Sequence, residues 1–288
     1  MKTPMSQSYT TDSVISADGA RIGYRQMGTG PGLILVHGGM QYSNNLMRLA
    51  EALSDTYRLY VPDRRGRGLS GPHGDHHNMA KECEDIQALM DKTGAAYIFG
   101  LSVGALIVLQ ASLILPGIRK AALYEPPLSV DHSYSADWVQ QFDREMTQGK
   151  LGPAFVTGVK GVQTSAIVGL LPRFILEPLF TLALKRADET KVKGDEVHPK
   201  ALIPTMHFDA QLVLELAEKI ENFRAIQAEV LLLGGSKSPA YLKIALDGLG
   251  KVLPKTKRVT FSGLDHLGPD NDGKPELVAQ ELRHFFVS

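Results

Sequence analysis

The chain has 288 residues, with 31 basic and 31 acidic side chains, so its formal net charge is zero. That length can bury a large core, while the charge balance gives no electrostatic footprint for nucleic acid or an anionic membrane. The single cysteine, Cys83, excludes an internal disulfide and fits a reducing compartment. Residues Met1 to Asp12 are polar, without the apolar core of a secretory signal. No run of about 18 apolar residues is present, so no membrane span is expected. A cytoplasmic monomer or homodimer is the expectation.

Ser8 to Ile15 and Ala20 to Gln26 read as two strands joined by the turn Ala17-Asp18-Gly19. Leu33 to Val36 is a short, fully apolar strand, as in a parallel sheet buried on both faces; it ends in His37-Gly38-Gly39-Met40. Helical spacing follows over Asn45 to Leu53. Tyr57 to Val61 reads as a strand, followed by the Gly- and Arg-rich stretch Asp63 to Ser70. A helix is predicted over Met79 to Lys92. Ala95 to Phe99 reads as a buried strand, and the Ala- and Leu-rich run after Gly104 as a buried helix. Lys120 to Tyr124 is a further strand, ending at Glu125-Pro126-Pro127.

The alternation stops there. Ser129 to Asn222 holds no convincing strand and carries helical stretches broken by prolines. It resumes with Val230 to Leu233, Ala240 to Leu249, Arg258 to Phe261 and Glu276 to Phe286. Strands alternating with helices imply a mostly parallel sheet with flanking helices. The expected organisation is a core of residues 1–128 and 223–288, with 129–222 as a helical cap inserted over the strand ends.

Between the buried strand and helix sits Gly100-Leu101-Ser102-Val103-Gly104, a G-x-S-x-G match with no spare residue for a loop. So abrupt a strand-to-helix turn puts its middle residue in unusual backbone geometry. The helix N-terminus then aims free N–H groups at whatever Ser102 carries. This suits a nucleophile whose reaction develops an oxyanion.

The order of elements, the His37-Gly38-Gly39 turn, the Asp63-to-Ser70 turn, the Gly100-to-Gly104 elbow and the late His266 together resemble an α/β-hydrolase-fold enzyme. The resemblance runs from about Val14 to Phe286, with the middle third as a variable cap. It implies a serine hydrolase without a cofactor. Fold members that act on haloalkanes or epoxides carry Asp at the elbow, where this chain has Ser102. Esterases, lactonases, C–C bond hydrolases and ligand receptors with little turnover share the pattern.

A serine hydroxyl needs a base in contact, and the fold implies that base after the last strand, where His266 stands in Ser262-to-Pro269. The fold's acid most often follows the strand ending at Leu233, but that loop, Gly234-Gly235-Ser236-Lys237-Ser238-Pro239, has no carboxylate. The resemblance offers a second position one strand earlier, Glu125. Branches with Glu there include lactone hydrolases acting on zearalenone. Asp265, beside His266, is the rival. The backbone N–H groups of Val103 and Gly39 are the expected oxyanion donors, with Met40 as the neighbouring alternative to Gly39.

Asp63 to Ser70 lacks the P-loop spacing and its Lys, and reads as a structural loop whose charges pair locally. His73, Asp75, His76 and His77 are contiguous without helical spacing, so no metal site is expected. The cap's apolar run, Ile167 to Leu184, reads as a lid over a hydrophobic pocket. Met40, Trp138, Phe142 and Phe174 are the predicted substrate contacts, with Phe155 and Phe180 as further candidates. The expected partner is a small hydrophobic ester or lactone; a diketone cleaved at a C–C bond is the alternative.

Overall fold

The computed structural model describes residues 8–163, 170–187 and 195–287. The first two strands, β1 (Thr10–Ile15) and β2 (Arg21–Met27), form a hairpin whose turn uses Gly19 at φ +86°. Then come β3 (Gly32–Val36), α1 (Met47–Leu53), β4 (Arg58–Pro62), α2 (Met79–Thr93), β5 (Tyr97–Leu101), α3 (Val103–Ile114) and β6 (Lys120–Tyr124). Helix α2 begins where the Asn78 side chain accepts from the N–H of Lys81 and ends at left-handed Gly94. After a helical excursion come β7 (Glu229–Gly235), α9 (Ala240–Val252), β8 (Thr256–Phe261) and α10 (Pro275–Val287).

The eight strands lie in the order β1-β2-β4-β3-β5-β6-β7-β8. Strand β2 runs antiparallel to β1 and β4; the other pairings are parallel. Alternation of side chains along each strand feeds two cores. Leu33 and Leu35 join one with α1 and α10; Ile34 and Val36 join the other with α2, α3 and α9. Burial on both faces is why these strands read as continuous apolar runs.

The chain goes from β3 to β4 on one side, then returns across β3 to place β5 on the other. Such a reversal opens a crevice at the carboxyl ends of the two central strands. Those ends are His37-Gly38-Gly39 after β3 and Ser102 after β5. The expected strand Ala95 to Phe99 in fact runs Tyr97–Leu101, and α3 starts at Val103 rather than after Gly104. One residue, Ser102, therefore makes the whole turn.

The excursion carries α4 (Trp138–Thr147), α5 (Leu151–Val162), α6 (Arg173–Ala187), a single helical turn α7 (Pro199–Leu202) and α8 (Thr205–Leu216). No strand occurs in it among the described residues. Phe142, Ala154, Ile203 and Met206 form its own small core, while Leu212, Val213 and Leu216 of α8 join the core of the sheet. The expected boundary at 222 falls within a 3-10 turn, Ile220–Ala225. Residues 167–169 of the predicted lid run, and 1–7 of the polar N-terminus, lie outside the described residues. Among the described residues no helix is long and apolar enough to cross a membrane.

Candidate active site

Ser102 has φ +56° and ψ −123°, outside the ordinary regions for an L residue. Its neighbours make that possible. A Cβ on Gly100 would overlap the Gly104 carbonyl, and one on Gly104 would overlap the carbonyls of Val36 and His37. Strand β5, helix α3 and the turn after β3 can approach this closely only without those side chains. The N–H of Ser102 donates to the Tyr124 carbonyl at 2.9 Å, which ties the elbow to β6.

The chain leaves β6 through Glu125, a fully buried residue at φ +50°. Its backbone N–H donates to Leu233 O at 3.0 Å. One carboxylate oxygen, Oε1, accepts from the N–H of Gly235 at 2.6 Å; the other, Oε2, lies 2.7 Å from His266 Nδ1. With the proton on Nδ1, this contact leaves Nε2, on the opposite side of the ring, as the basic nitrogen. The loop that carries His266 is pinned by the Tyr124 hydroxyl, which donates to Asp265 O at 2.7 Å. Asp265 uses its own Oδ1 to accept from the N–H of Leu267 at 3.0 Å, so it serves its own turn.

Ser102, Val103, Gly39, Met40 and His266 all line one cavity of about 410 Å³ at the carboxyl ends of β3 and β5. Met40 sits at φ +54° in the turn after β3. Trp138 and Phe155 come to this cavity from the helical excursion, joined by Tyr134 and Tyr241. The two tyrosines were not anticipated. Tyr241 lies on α9, and only the folded chain brings that helix beside the excursion.

Two expected substrate contacts are placed elsewhere. Phe142 points into the small core of the excursion, packed edge-to-face against Trp138 at 5.9 Å. Phe174 is 76% exposed on α6, whose opposite face packs on α5. Helical periodicity marked both as apolar but could not tell the inward face of these packed helices from their outer face. Phe180 packs edge-to-face on Phe155 behind the cavity wall.

The Asp63-to-Ser70 arginines were expected to pair locally, and they do not. Arg64 pairs with Glu82 at 2.7 Å and with Asp209 of α8 at 2.9 Å. Arg65 pairs with Asp18 and Asp85, both at 2.6 Å. Arg67 pairs with Asp209 at 2.8 Å. The carboxylates that match these guanidinium groups sit on α2, the β1–β2 turn and the excursion, so sequence proximity gave no sign of them. Burial alone would raise the Asp209 carboxyl, but Arg67 and Arg64 outweigh it and hold the group at about 2. Burial, then the charges of Arg67 and Arg64, push His37 well below its ordinary value, so its imidazole is neutral.

His73 stacks on Phe208 at 3.8 Å, and His77 meets both rings edge-on. Among the described residues no group of three His, Cys, Asp or Glu side chains is arranged to hold a metal ion.

A family model described as the alpha/beta hydrolase fold matches residues 31–272. An uncharacterised hydrolase, YraK, of Bacillus subtilis (strain 168) is 30% identical over 109 residues, 36% of this chain and 40% of that protein. A pimeloyl-(acyl-carrier protein) methyl ester esterase of Xanthomonas campestris pv. campestris is 32% identical over 121 residues, 42% of this chain and 46% of that protein. The chain thus spans less than half the length of these curated relatives. The crystal structure of an alpha/beta hydrolase from Sphaerobacter thermophilus DSM 20745 superposes with a TM-score of 0.75 at 26% identity, covering 93% of this chain and 99% of that one.

Proposed function

The chain belongs to the alpha/beta hydrolase fold family, and on that footing we propose that it is a serine hydrolase cleaving an ester or lactone of a hydrophobic small molecule. One observation carries the reading: His266 Nδ1 is 2.7 Å from the buried carboxylate of Glu125, in the wall of the cavity that Ser102 also lines. A carboxylate there holds the imidazole tautomer and stabilises the imidazolium formed in turnover.

In this mechanism the Ser102 hydroxyl attacks the carbonyl carbon while His266 Nε2 takes its proton. The oxyanion is met by the N–H of Val103, at the start of α3, and by that of Gly39. His266 then donates the proton to the leaving alcohol and later activates the water that releases the acid. No step calls for a cofactor. The apolar wall of Met40, Trp138, Phe155 and Val159 favours a hydrophobic acyl group. The methyl ester esterase activity named for the Xanthomonas relative is in keeping with an ester substrate. We extend the reading to the organisation of the chain, with 129–222 acting as the cap over the pocket.

Labelling with a fluorophosphonate probe tests the proposal. The wild-type chain should be modified at Ser102, and Ser102→Ala should lose both the label and turnover of nitrophenyl esters. Absence of label and turnover in the wild type would instead mark a ligand-binding protein. Product analysis on a panel of esters, lactones and diketones identifies the bond cleaved.

A further inference from the structure

Asp209 lies far along the chain from the elbow, yet it is buried against the turn that carries Gly39. Its Oδ1 accepts from Arg67 Nη2 at 2.8 Å and from Arg64 Nη1 at 2.9 Å. Its Oδ2 has no hydrogen-bond partner and faces Gly39: a Cβ added there would stand 3.0 Å from it. Arg67 carries the contact onward, since its Nη1 donates to the carbonyl oxygen of Gly38 at 3.3 Å. Arg64 makes a parallel link. Its backbone N–H donates to His37 Nε2 at 3.1 Å, which puts the ring proton on Nδ1, and Nδ1 lies 2.8 Å from the same Gly38 oxygen.

The carbonyl of Gly38 and the N–H of Gly39 are one peptide unit. No peptide bond in the described chain is cis, so the two groups point in opposite directions across a rigid plane. Arg67 and His37 hold the oxygen from the buried side, and neither lines the cavity. The N–H of Gly39 must then face the cavity. On the other flank, the N–H of Gly38 donates to Gln41 Oε1 at 2.8 Å, and Gln41 Nε2 donates to Asp270 Oδ2 at 2.7 Å. Gly38 is therefore held at both of its peptides: the following one through its carbonyl, by Arg67 and His37, and the preceding one through its N–H, by Gln41 and Asp270.

We propose that Asp209 is a positioning residue: acting through Arg67, it sets the plane of the Gly38–Gly39 peptide, so that docking of α8 completes the oxyanion site. This rests on the serine-hydrolase reading above. Asp209 itself lines the cavity beside Gly39, but a carboxylate can neither donate to an oxyanion nor replace His266 as the base. Its carboxylate would oppose a nearby oxyanion, and the two guanidinium groups on Oδ1 offset that charge. What remains is orientation.

The test compares wild type, Asp209→Asn and Arg67→Lys in the full chain, each normalised to sites titrated by fluorophosphonate. Arg67→Lys leaves the Arg64–Asp209 pair in place, so the excursion stays anchored even if Asp209→Asn folds poorly. Loss of an entire oxyanion donor costs about 10²–10³ in kcat, so a misaligned one should cost roughly 10–100-fold. KM for a nitrophenyl butyrate should stay within about threefold. An alkyl trifluoromethyl ketone, which becomes a tetrahedral alkoxide on the serine, should lose affinity in proportion to kcat/KM. The matching methyl ester's KM should not follow. Overturning results are an unchanged kcat in Arg67→Lys, an unchanged ketone affinity, or a loss confined to KM. A wild type that neither labels nor turns over overturns the serine-hydrolase reading and this inference together. A labelled wild type with unaltered variants overturns this inference alone.

Discussion

The N–H of Gly235 donates to Glu125 Oε1 at 2.6 Å, across the seam between β6 and β7. The loop after β7 has no carboxylate of its own, and the space is filled from the neighbouring strand. A Cβ on Gly234 would stand 3.0 Å from Glu125 Oε1 and 3.3 Å from its Cγ. The two glycines and the glutamate thus form one arrangement: small residues at the end of β7 admit the longer side chain, and a backbone donor there holds it toward His266.

The first prediction concerns the acid. In Glu125→Gln, the amide oxygen can keep the Gly235 bond, but its NH₂ then faces Nδ1 and favours the wrong tautomer. We expect kcat to fall by roughly 10³–10⁴, with the melting temperature little changed. Asp265→Asn, whose carboxylate serves the Leu267 N–H, should stay within about twofold of wild type. Ester turnover and thermal melts of both variants check this; a dead Asp265→Asn beside an active Glu125→Gln would move the acid to Asp265.

The second concerns the glycine that admits it. Gly234→Ala should push the Glu125 carboxylate away from His266, because the new methyl also meets Leu246. A kcat loss of roughly tenfold with little change in KM is expected, since only the imidazole's orientation is disturbed. Steady-state kinetics would show it, and an unaltered kcat would mean the carboxylate's position is not limiting.

The third separates the wall of the cavity from its outer face. Trp138 lines the cavity, so Trp138→Ala should raise KM for aromatic or long-chain esters by roughly tenfold or more, the equivalent of about 1.5–3 kcal/mol of lost apolar burial. Phe174, exposed on α6, should be replaceable by Ser with KM unchanged. A chain-length series of nitrophenyl esters measures both. Equal effects from the two variants would contradict this placement of Trp138 and Phe174.

The fourth concerns acid. Burial pushes His37 and His77 below their ordinary range and holds His73 at about 3. Below about pH 6.5 the unfolded chain binds protons that these rings refuse, so their contribution is present above 6.5 and lost as pH falls. Asp85 works in the opposite sense, because burial raises it to about 6. Three groups outweigh one, and unfolding in urea should require less denaturant at pH 5 than at pH 7. His73→Phe, which keeps the stack on Phe208, should flatten that slope by at most about 1.4 kcal/mol per pH unit.

The order of strands and helices, the elbow at Ser102 and the interruption after β6 were legible from the sequence. Each is written in local terms: apolar periodicity, glycines at close approaches, and a break in alternation. The prediction ended Ala95 to Phe99 two residues early because Gly100 reads as a breaker, whereas in the sheet Gly100 and Leu101 pair with Leu123 and Tyr124. The apolar residues of the excursion were harder. Phe142, Phe174 and Trp138 carry the same apolar signal, and only packing of α4, α5 and α6 decides which of them meets the cavity.

By itself, the sequence determined the fold and the single residue on which its central turn pivots, because those follow from short-range sterics and hydrophobic period. Tertiary structure alone decided what pairs across distance. It set Asp209 against Arg64 and Arg67, and through Arg67 oriented the Gly38 carbonyl. Ion pairs and buried hydrogen bonds depend on where side chains converge in space, and no spacing along the chain encodes that convergence.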